Sequence, residues 1–178
     1  MDSHLYPYRE IVKLLQKWEK DLEQENAPEL LALRQYDLKT ICETISAIFT
    51  FAEADLRLTA LDALPYIVPR EEMTGLLLSC LSDPRSSVRW SACKLFQRYP
   101  DPQITPHLVH MLETDENPTV RFMAADLLCE FGDERALLAL LHAAENDSGK
   151  DYEGRAVADA AREAIASIRE RMKAAKQS

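Results

Sequence analysis

Apolar residues recur along the chain at helical spacing, and one nine-residue pattern of them returns every 32 residues. It reads LRLTALDAL at 56–64, VRWSACKLF at 88–96 and VRFMAADLL at 120–128. In each copy the first, fifth, eighth and ninth residues are apolar and fall on one face of a helix. A fixed period in this range is typical of stacked arrays, in which each repeat buries its apolar face against its neighbours. The pattern therefore predicts an all-α repeat protein.

Each copy follows a second amphipathic segment and a turn, so the repeat is predicted to be helix A, a tight turn and helix B. Two of the turns contain Asp-Pro (83–84) or Asn-Pro (117–118), which are signals for the start of a helix. A fourth repeat is longer, because 37 residues separate Val120 from Val157 and the extra length falls in loop 146–154. We predict an array over 36–178, with repeats at 36–66, 70–99, 103–131 and 133–168.

Residues 1–35 do not match the repeat and are predicted to form a helical N-terminal cap. Their longer amphipathic helix carries apolar side chains on one face. These are Ile11, Leu14, Leu15, Trp18 and Leu22. At the other end, the charged segment after residue 168 is predicted to be a polar helical cap.

Composition and charge narrow the class of protein. The chain has 178 residues, of which 47 % are hydrophobic, and its formal net charge is -9. Such an acidic surface disfavours general binding to phosphate backbones. No apolar run approaches the length of a membrane span and the N-terminus lacks the apolar core of a signal peptide, so we expect a cytoplasmic protein. The four cysteines form no CxxC pair and are expected to be reduced core thiols.

The phrase V-R-x-x-A-x-x-L-[LF], preceded by Asp-Pro or Asn-Pro, resembles the HEAT repeat, and in particular the repeat of phycobilisome lyase-type HEAT-like proteins. The resemblance covers about residues 53–168. It implies a right-handed α-solenoid of about four HEAT-like helical hairpins with helical caps at both ends. HEAT repeats vary widely in function, so the resemblance implies a fold more strongly than an activity.

The resemblance also implies a ladder of ion pairs, in which an aspartate of each turn binds the arginine of helix B. The matching pairs are Asp83 with Arg89 and Asp115 with Arg121. Arg57 has Phe51 at the place of the aspartate, and the last repeat has Ala158 at the place of the arginine. We therefore expect a structural ladder that fails at both ends.

The third residue of the phrase lies nearly opposite the core face of helix B. It is Leu58, Trp90 and Phe122 in the three copies, and the resemblance implies that this face is concave and solvent-facing. Charged and aromatic residues flank it one and two turns later: Asp62, Lys94, Asp126, Tyr66, Arg98 and Glu130. Apolar anchors within a polar rim are typical of a protein-binding site. The alternative is that curvature or the N-terminal cap covers these side chains, which would make them ordinary core.

Motifs of enzyme chemistry are absent from the sequence, which contains no glycine-rich phosphate loop and no HExxH, GxSxG or CxxC motif. His107, His110 and Glu113 have a spacing that could gather metal ligands, but a solvated helix face explains them better. We expect no metal, no cofactor and no catalysis. The sequence favours a non-enzymatic interaction module or scaffold whose protein partner carries a basic patch.

Two other functions stay open. The first is a chromophore-lyase-like or chaperone factor for a pigment protein, which the type of repeat suggests. The second is nucleic-acid binding, as in the similar HEAT-like DNA glycosylases, with Trp90 stacking on a base. The basic residues for that role would be Arg85, Arg89, Lys94 and Arg98. The acidic neighbours on the same face argue against it.

Overall fold

The computed structural model describes residues 5–18 and 27–177, and helices make up most of these ranges. The α-helices are α1 (Leu5–Lys17), α2 (Pro28–Leu33), α3 (Leu38–Phe51), α4 (Ala54–Ile67), α5 (Arg70–Cys80), α6 (Ser86–Arg98), α7 (Thr105–Thr114), α8 (Pro118–Phe131), α9 (Leu137–Asn146) and α10 (Val157–Gln177). Short 3₁₀ turns precede α7 and α9. The all-α prediction is confirmed. Leu22 lies outside the described residues.

The chain divides into two compact units, residues 1–91 and 92–178. In the N-terminal unit, α1 packs against α2, α3 and α4. Its core includes Ile11, Leu15, Ile45 and Leu61, all fully buried. Asp37 caps the start of α3: its carboxylate accepts the Thr40 N–H at 2.9 Å, which has no partner within the helix.

In the C-terminal unit, α8 packs against α7 and α10, and α10 also packs against α9. Asn117 caps α8 by accepting the Thr119 N–H at 2.9 Å, as the Asn-Pro signal predicts. At the other end of α8, Arg171 of α10 donates to the main-chain oxygens of Cys129 and Gly132, both at 2.7 Å. A guanidinium there offsets the negative end of the helix dipole.

The four cysteines are thiols and are not joined in disulfides. Cys80 and Cys93 are buried as expected, whereas Cys42 and Cys129 are half-buried. Burial raises the pKa of the Cys80 thiol to about 12, which leaves it protonated and unreactive near neutral pH.

The arginine at the start of helix B binds two successive turns. Arg121 donates to the main-chain oxygens of Asp115 (2.8 Å) and Glu116 (3.2 Å), just before its own helix. Its Nε and Nη2 donate to the carboxylate of Asp147, 26 residues later, at 2.6 and 2.9 Å. One guanidinium thus ties the turn before α8 to the connection between α9 and α10. This fork geometry is specific to arginine.

Arg57 follows the same scheme in the N-terminal unit. It donates to the main-chain oxygen of Ala52 behind it and binds the carboxylate of Asp83 ahead of it, with Nε to Oδ2 at 2.6 Å. Asp83 is buried and also accepts the Arg85 N–H at 2.8 Å. The expectation that Arg57 lacks an acidic partner is therefore wrong.

The pairing predicted inside each turn also needs correction. Arg89 reaches its own turn through the main-chain oxygen of Asp83, at 2.7 Å, and Arg121 through that of Asp115. The carboxylate of Asp83 binds the arginine of the preceding repeat instead. A spacing of six residues places an arginine beside its turn, but it does not tell which turn atom accepts the hydrogen bond.

Gly149 leaves room for the link between Arg121 and Asp147. A Cβ atom there would lie 2.5 Å from Arg121 Nη2 and 2.8 Å from both Asp147 Oδ1 and Pro118 Cβ. Gly149→Ala is therefore expected to destabilise the protein by about 1 kcal/mol through overpacking. Denaturant unfolding measures this cost.

The matched control is Gly75→Ala. Gly75 is exposed within α5, and a Cβ there would meet nothing within 4 Å. Alanine should therefore stabilise that helix slightly. If Gly149→Ala proved as stable as the wild type, the close approach at this link would not matter.

Candidate functional site

The predicted surface stripe is partly covered in the N-terminal unit. Leu58, Asp62 and Tyr66 of α4 are half-buried, and so is Trp90 of α6. The ring of Tyr66 meets the ring of Trp18 edge-on, with centroids 6.2 Å apart and an interplanar angle of 66°. Trp18, directly after α1, therefore covers the Tyr66 end of the stripe, which agrees with the alternative that the N-terminal cap covers these side chains.

In the C-terminal unit, Phe122 is not the exposed anchor that the sequence predicts. Only 8 % of it is exposed. The guanidinium carbon of Arg155 lies 4.3 Å from the centroid of its ring, a cation–π arrangement. The prediction of an exposed Phe122 is wrong because the loop before α10 returns across α8 and places a cation on the ring.

A buried carboxylate organises that loop. Asp151 accepts the N–H groups of Glu153 (3.0 Å) and Arg155 (2.8 Å), and its own N–H donates to the Arg155 main-chain oxygen at 2.9 Å. Gly154, at φ 84°, supplies the left-handed residue that closes the turn. Burial alone would raise the pKa of Asp151, but these N–H groups and the Arg155 guanidinium hold it below its ordinary value.

The same carboxylate orients the Arg155 side chain. Nε of Arg155 donates to Oδ2 of Asp151 at 2.8 Å, and a second ion pair joins Nε to Glu153 at 3.2 Å. About half of the Arg155 side chain stays exposed, at 51 %. The guanidinium therefore has carboxylates at its edge, an aromatic ring beneath it and solvent on the remaining side.

Asp126 lies one turn beyond Phe122 on α8. It is half-buried and accepts Nε2–H of Gln97 at 3.2 Å. Burial raises its pKa above the ordinary value, the negative charge of Glu163 adds to the rise, and the positive charges of Arg155 and Lys94 oppose it.

We call Asp126, Glu130 and Glu163 the acidic ridge. Glu130 and Glu163 are exposed, on the outward faces of α8 and α10 respectively. Lys94 and Arg98 are exposed on α6, and the guanidinium carbon of Arg98 lies 5.4 Å from the ring of Tyr99. Sequence reasoning identified two members of the ridge and missed Glu163.

Four participants escaped the sequence prediction: Gln97, Asp151, Arg155 and Glu163. The helical period could have found Glu163, because it stands in α10 where Asp126 stands in α8. The longer fourth repeat indicates an insertion in the sequence, but it does not predict the direction of the side chains in that loop.

Two clefts open elsewhere in the C-terminal unit. One, of about 330 Å³, borders Arg121, His142 and Asp147, and the other, of about 370 Å³, lies between Arg171 of α10 and the turn after α8. The arginines at both clefts already bind main-chain oxygens or a carboxylate. Because these arginines are already bound within the protein, we do not propose either cleft as a ligand-binding site.

Two negative findings apply to the residues that the structure describes. They contain no group of three or more His, Cys, Asp or Glu side chains placed to hold a metal ion. Within these ranges, no helix combines the length and apolarity needed to cross a membrane.

Helical hairpins in series, joined by arginines that bind successive turns, define an α-helical repeat protein. The family model of HEAT repeats matches residues 73–166, more than half of the chain. The chain belongs to the HEAT-repeat family. Comparison with curated proteins gives no match.

Proposed function

We propose that this HEAT-repeat protein is a non-enzymatic interaction module whose partner places basic side chains on the outward face of α8 and α10. HEAT repeats generally mediate binding between proteins. One observation supports the proposal most directly. On this face the ring of Phe122, with the Arg155 guanidinium over it, lies beside the acidic ridge. Aromatic rings and carboxylates are the groups that bind arginine and lysine side chains.

Charge supports a basic partner. The chain carries a formal net charge of -9, and Glu130 and Glu163 of the ridge are exposed. Complementary charge speeds the encounter and fixes the orientation of two proteins. Within this proposal, the face belongs to the concave side of a scaffold of the phycobilisome lyase-type group, acting in the cytoplasm. Lys94 and Arg98, in the part of α6 that belongs to the same unit, would extend the contact.

Neutralising the acidic ridge tests the proposal. The variant Asp126→Asn/Glu130→Gln/Glu163→Gln removes three negative charges and keeps the size of each side chain. We expect it to lose at least tenfold in affinity for the partner, because three charged contacts become neutral. Affinity capture from the native extract, followed by titration of the captured protein, measures the loss.

A control with the same change in charge separates the ridge from the overall charge of the protein. Glu113, Glu116 and Glu145 are exposed on or beside α7 and α9. Changing these three to glutamine should leave capture intact. Equal loss in both variants, or capture that nuclease treatment abolishes, would contradict the proposal.

A further inference from the structure

The last connection between helices A and B differs from the others in length and in what it carries. It is five residues longer than the 32-residue period requires, and it forms a turn closed by the bridge between Lys150 and Ala156. Its final part sets the Arg155 guanidinium over Phe122, the ring at the outward position of the preceding helix B. The insertion thus fills an outward-facing aromatic position with a cation.

The loop does not need this contact to keep its shape. The Asp151 carboxylate binds the main-chain N–H groups of Glu153 and Arg155, and the Asp151 N–H binds the Arg155 main-chain oxygen. These hydrogen bonds use main-chain N–H and C=O groups, so they remain if the Arg155 side chain rotates away and gives up its own bonds to Asp151 and Glu153. Because the side chain is about half exposed, it can leave the ring without opening the core.

We propose that the face of Phe122 is a binding site for an arginine side chain of the partner, and that Arg155 occupies this site in the free protein. The inference rests on the proposed function and names the chemistry of its central contact. The ring gives a flat π surface, and Asp126, Asp151 and Glu153 supply carboxylates around it. A planar guanidinium can stack on the ring and bind a carboxylate at its edge, which a lysine ammonium does less well.

Arg155 then acts as an internal competitor. A site that is filled for about nine-tenths of the time lowers the apparent affinity for an outside ligand about tenfold. Arg155 also neutralises carboxylates that the partner would otherwise meet. Removing its side chain should uncover the ring and leave the site more negative.

The test compares the wild type with Arg155→Gln, using a labelled peptide of sequence Gly-Arg-Gly-Arg-Gly-Arg-Gly and its lysine counterpart. We expect Arg155→Gln to bind the arginine peptide about tenfold more tightly than the wild type does. The gain for the lysine peptide should stay below about threefold. Adding Phe122→Leu to Arg155→Gln should abolish the gain.

Arg155→Lys provides a second variant that keeps the charge, and circular dichroism checks that each variant is folded. Arg155→Lys should show an intermediate gain in affinity for the arginine peptide, because the lysine ammonium competes less well for the Phe122 ring than the arginine guanidinium does. If the wild type binds the peptide and Arg155→Gln binds it equally or less tightly, the inference is overturned while the proposed function stands. If the peptide binds to neither protein, the inference is overturned as well. If, in addition, neutralising the ridge leaves partner capture unchanged, the proposed function also fails.

Discussion

Arg57→Ala is expected to destabilise the N-terminal unit by about 3 kcal/mol, the cost of breaking a largely buried ion pair. The side chains of Arg57 and Asp83 are only 12 % and 4 % exposed, and their closest atoms lie 2.6 Å apart. Without the guanidinium, the Asp83 carboxylate stays buried with only the Arg85 N–H left among the partners described above. Urea unfolding, followed by circular dichroism, measures the change in the free energy of unfolding.

Arg135→Ala is the matched control. Arg135 and Asp133 also lie 2.6 Å apart, but their side chains are 63 % and 45 % exposed. Exposed ion pairs contribute little, so this variant should unfold like the wild type. Arg57→Lys should recover less than half of the loss, because lysine lacks the fork that reaches both Ala52 and Asp83. Equal effects of Arg57→Ala and Arg135→Ala would show that burial does not set the strength of these pairs.

Asp147→Asn is expected to cost about 2 kcal/mol at neutral pH, because it leaves the Arg121 guanidinium without its negative partner. Asparagine keeps an oxygen that can accept the Gly149 N–H, so the variant removes mainly the charge. The hydrogen bonds from Arg121 hold the pKa of Asp147 below its ordinary value of 3.8. The size of the loss should therefore depend on pH.

The lowered pKa of Asp147 fixes the direction of that dependence. Between the folded and the ordinary pKa the unfolded chain binds more protons, so the stability that Asp147 confers rises with pH there. The gap between wild type and Asp147→Asn should be complete above about pH 4 and close as the pH falls through the folded pKa. Asp37, whose pKa the Thr40 N–H lowers, is common to both proteins and cancels. A gap that stays constant down to pH 2 would refute the link.

The sequence predicted the helices well because their causes are local and repeated. Asn117 and Pro118 mark the start of α8, and Asn117 does cap that helix. Positions 120, 124, 127 and 128 are apolar on one face of α8, and Val120, Ala124, Leu127 and Leu128 are buried there. Signals of this kind depend on residues within one or two turns of each other. They can therefore be read from the sequence of one repeat and checked against the next repeat, 32 residues later.

The contacts between repeats were predicted less well, because they depend on atoms far apart in the chain. Arg57 and Asp83 are 26 residues apart, whereas the sequence pattern pairs Asp83 with Arg89 in the same repeat; Arg89 instead binds the main-chain oxygen of Asp83. The covering of Phe122 depends on one left-handed residue, Gly154, and on a buried carboxylate that holds the loop. Helical periodicity contains no information on either.

The framework and the proposed site meet at the connection between α9 and α10. Asp147 at its start binds Arg121 in the ladder, whereas Asp151 and Arg155 at its end form the cover over Phe122. The ion pair between Asp147 and Arg121 fixes where the connection leaves α9. The ion pair between Asp151 and Arg155 fixes the position of the Arg155 guanidinium. We expect ladder variants to change stability and ridge variants to change partner binding, with little exchange between the two effects.

The most direct test of the central claim is photo-crosslinking from two positions in the native extract. One protein carries a photo-crosslinking residue in place of Glu163, on the outward face of α10, and the other carries it in place of Glu145, on α9. We predict a covalent adduct with the partner from position 163 and none from position 145. An adduct from position 145 alone would place the partner on helices A and contradict the proposed site.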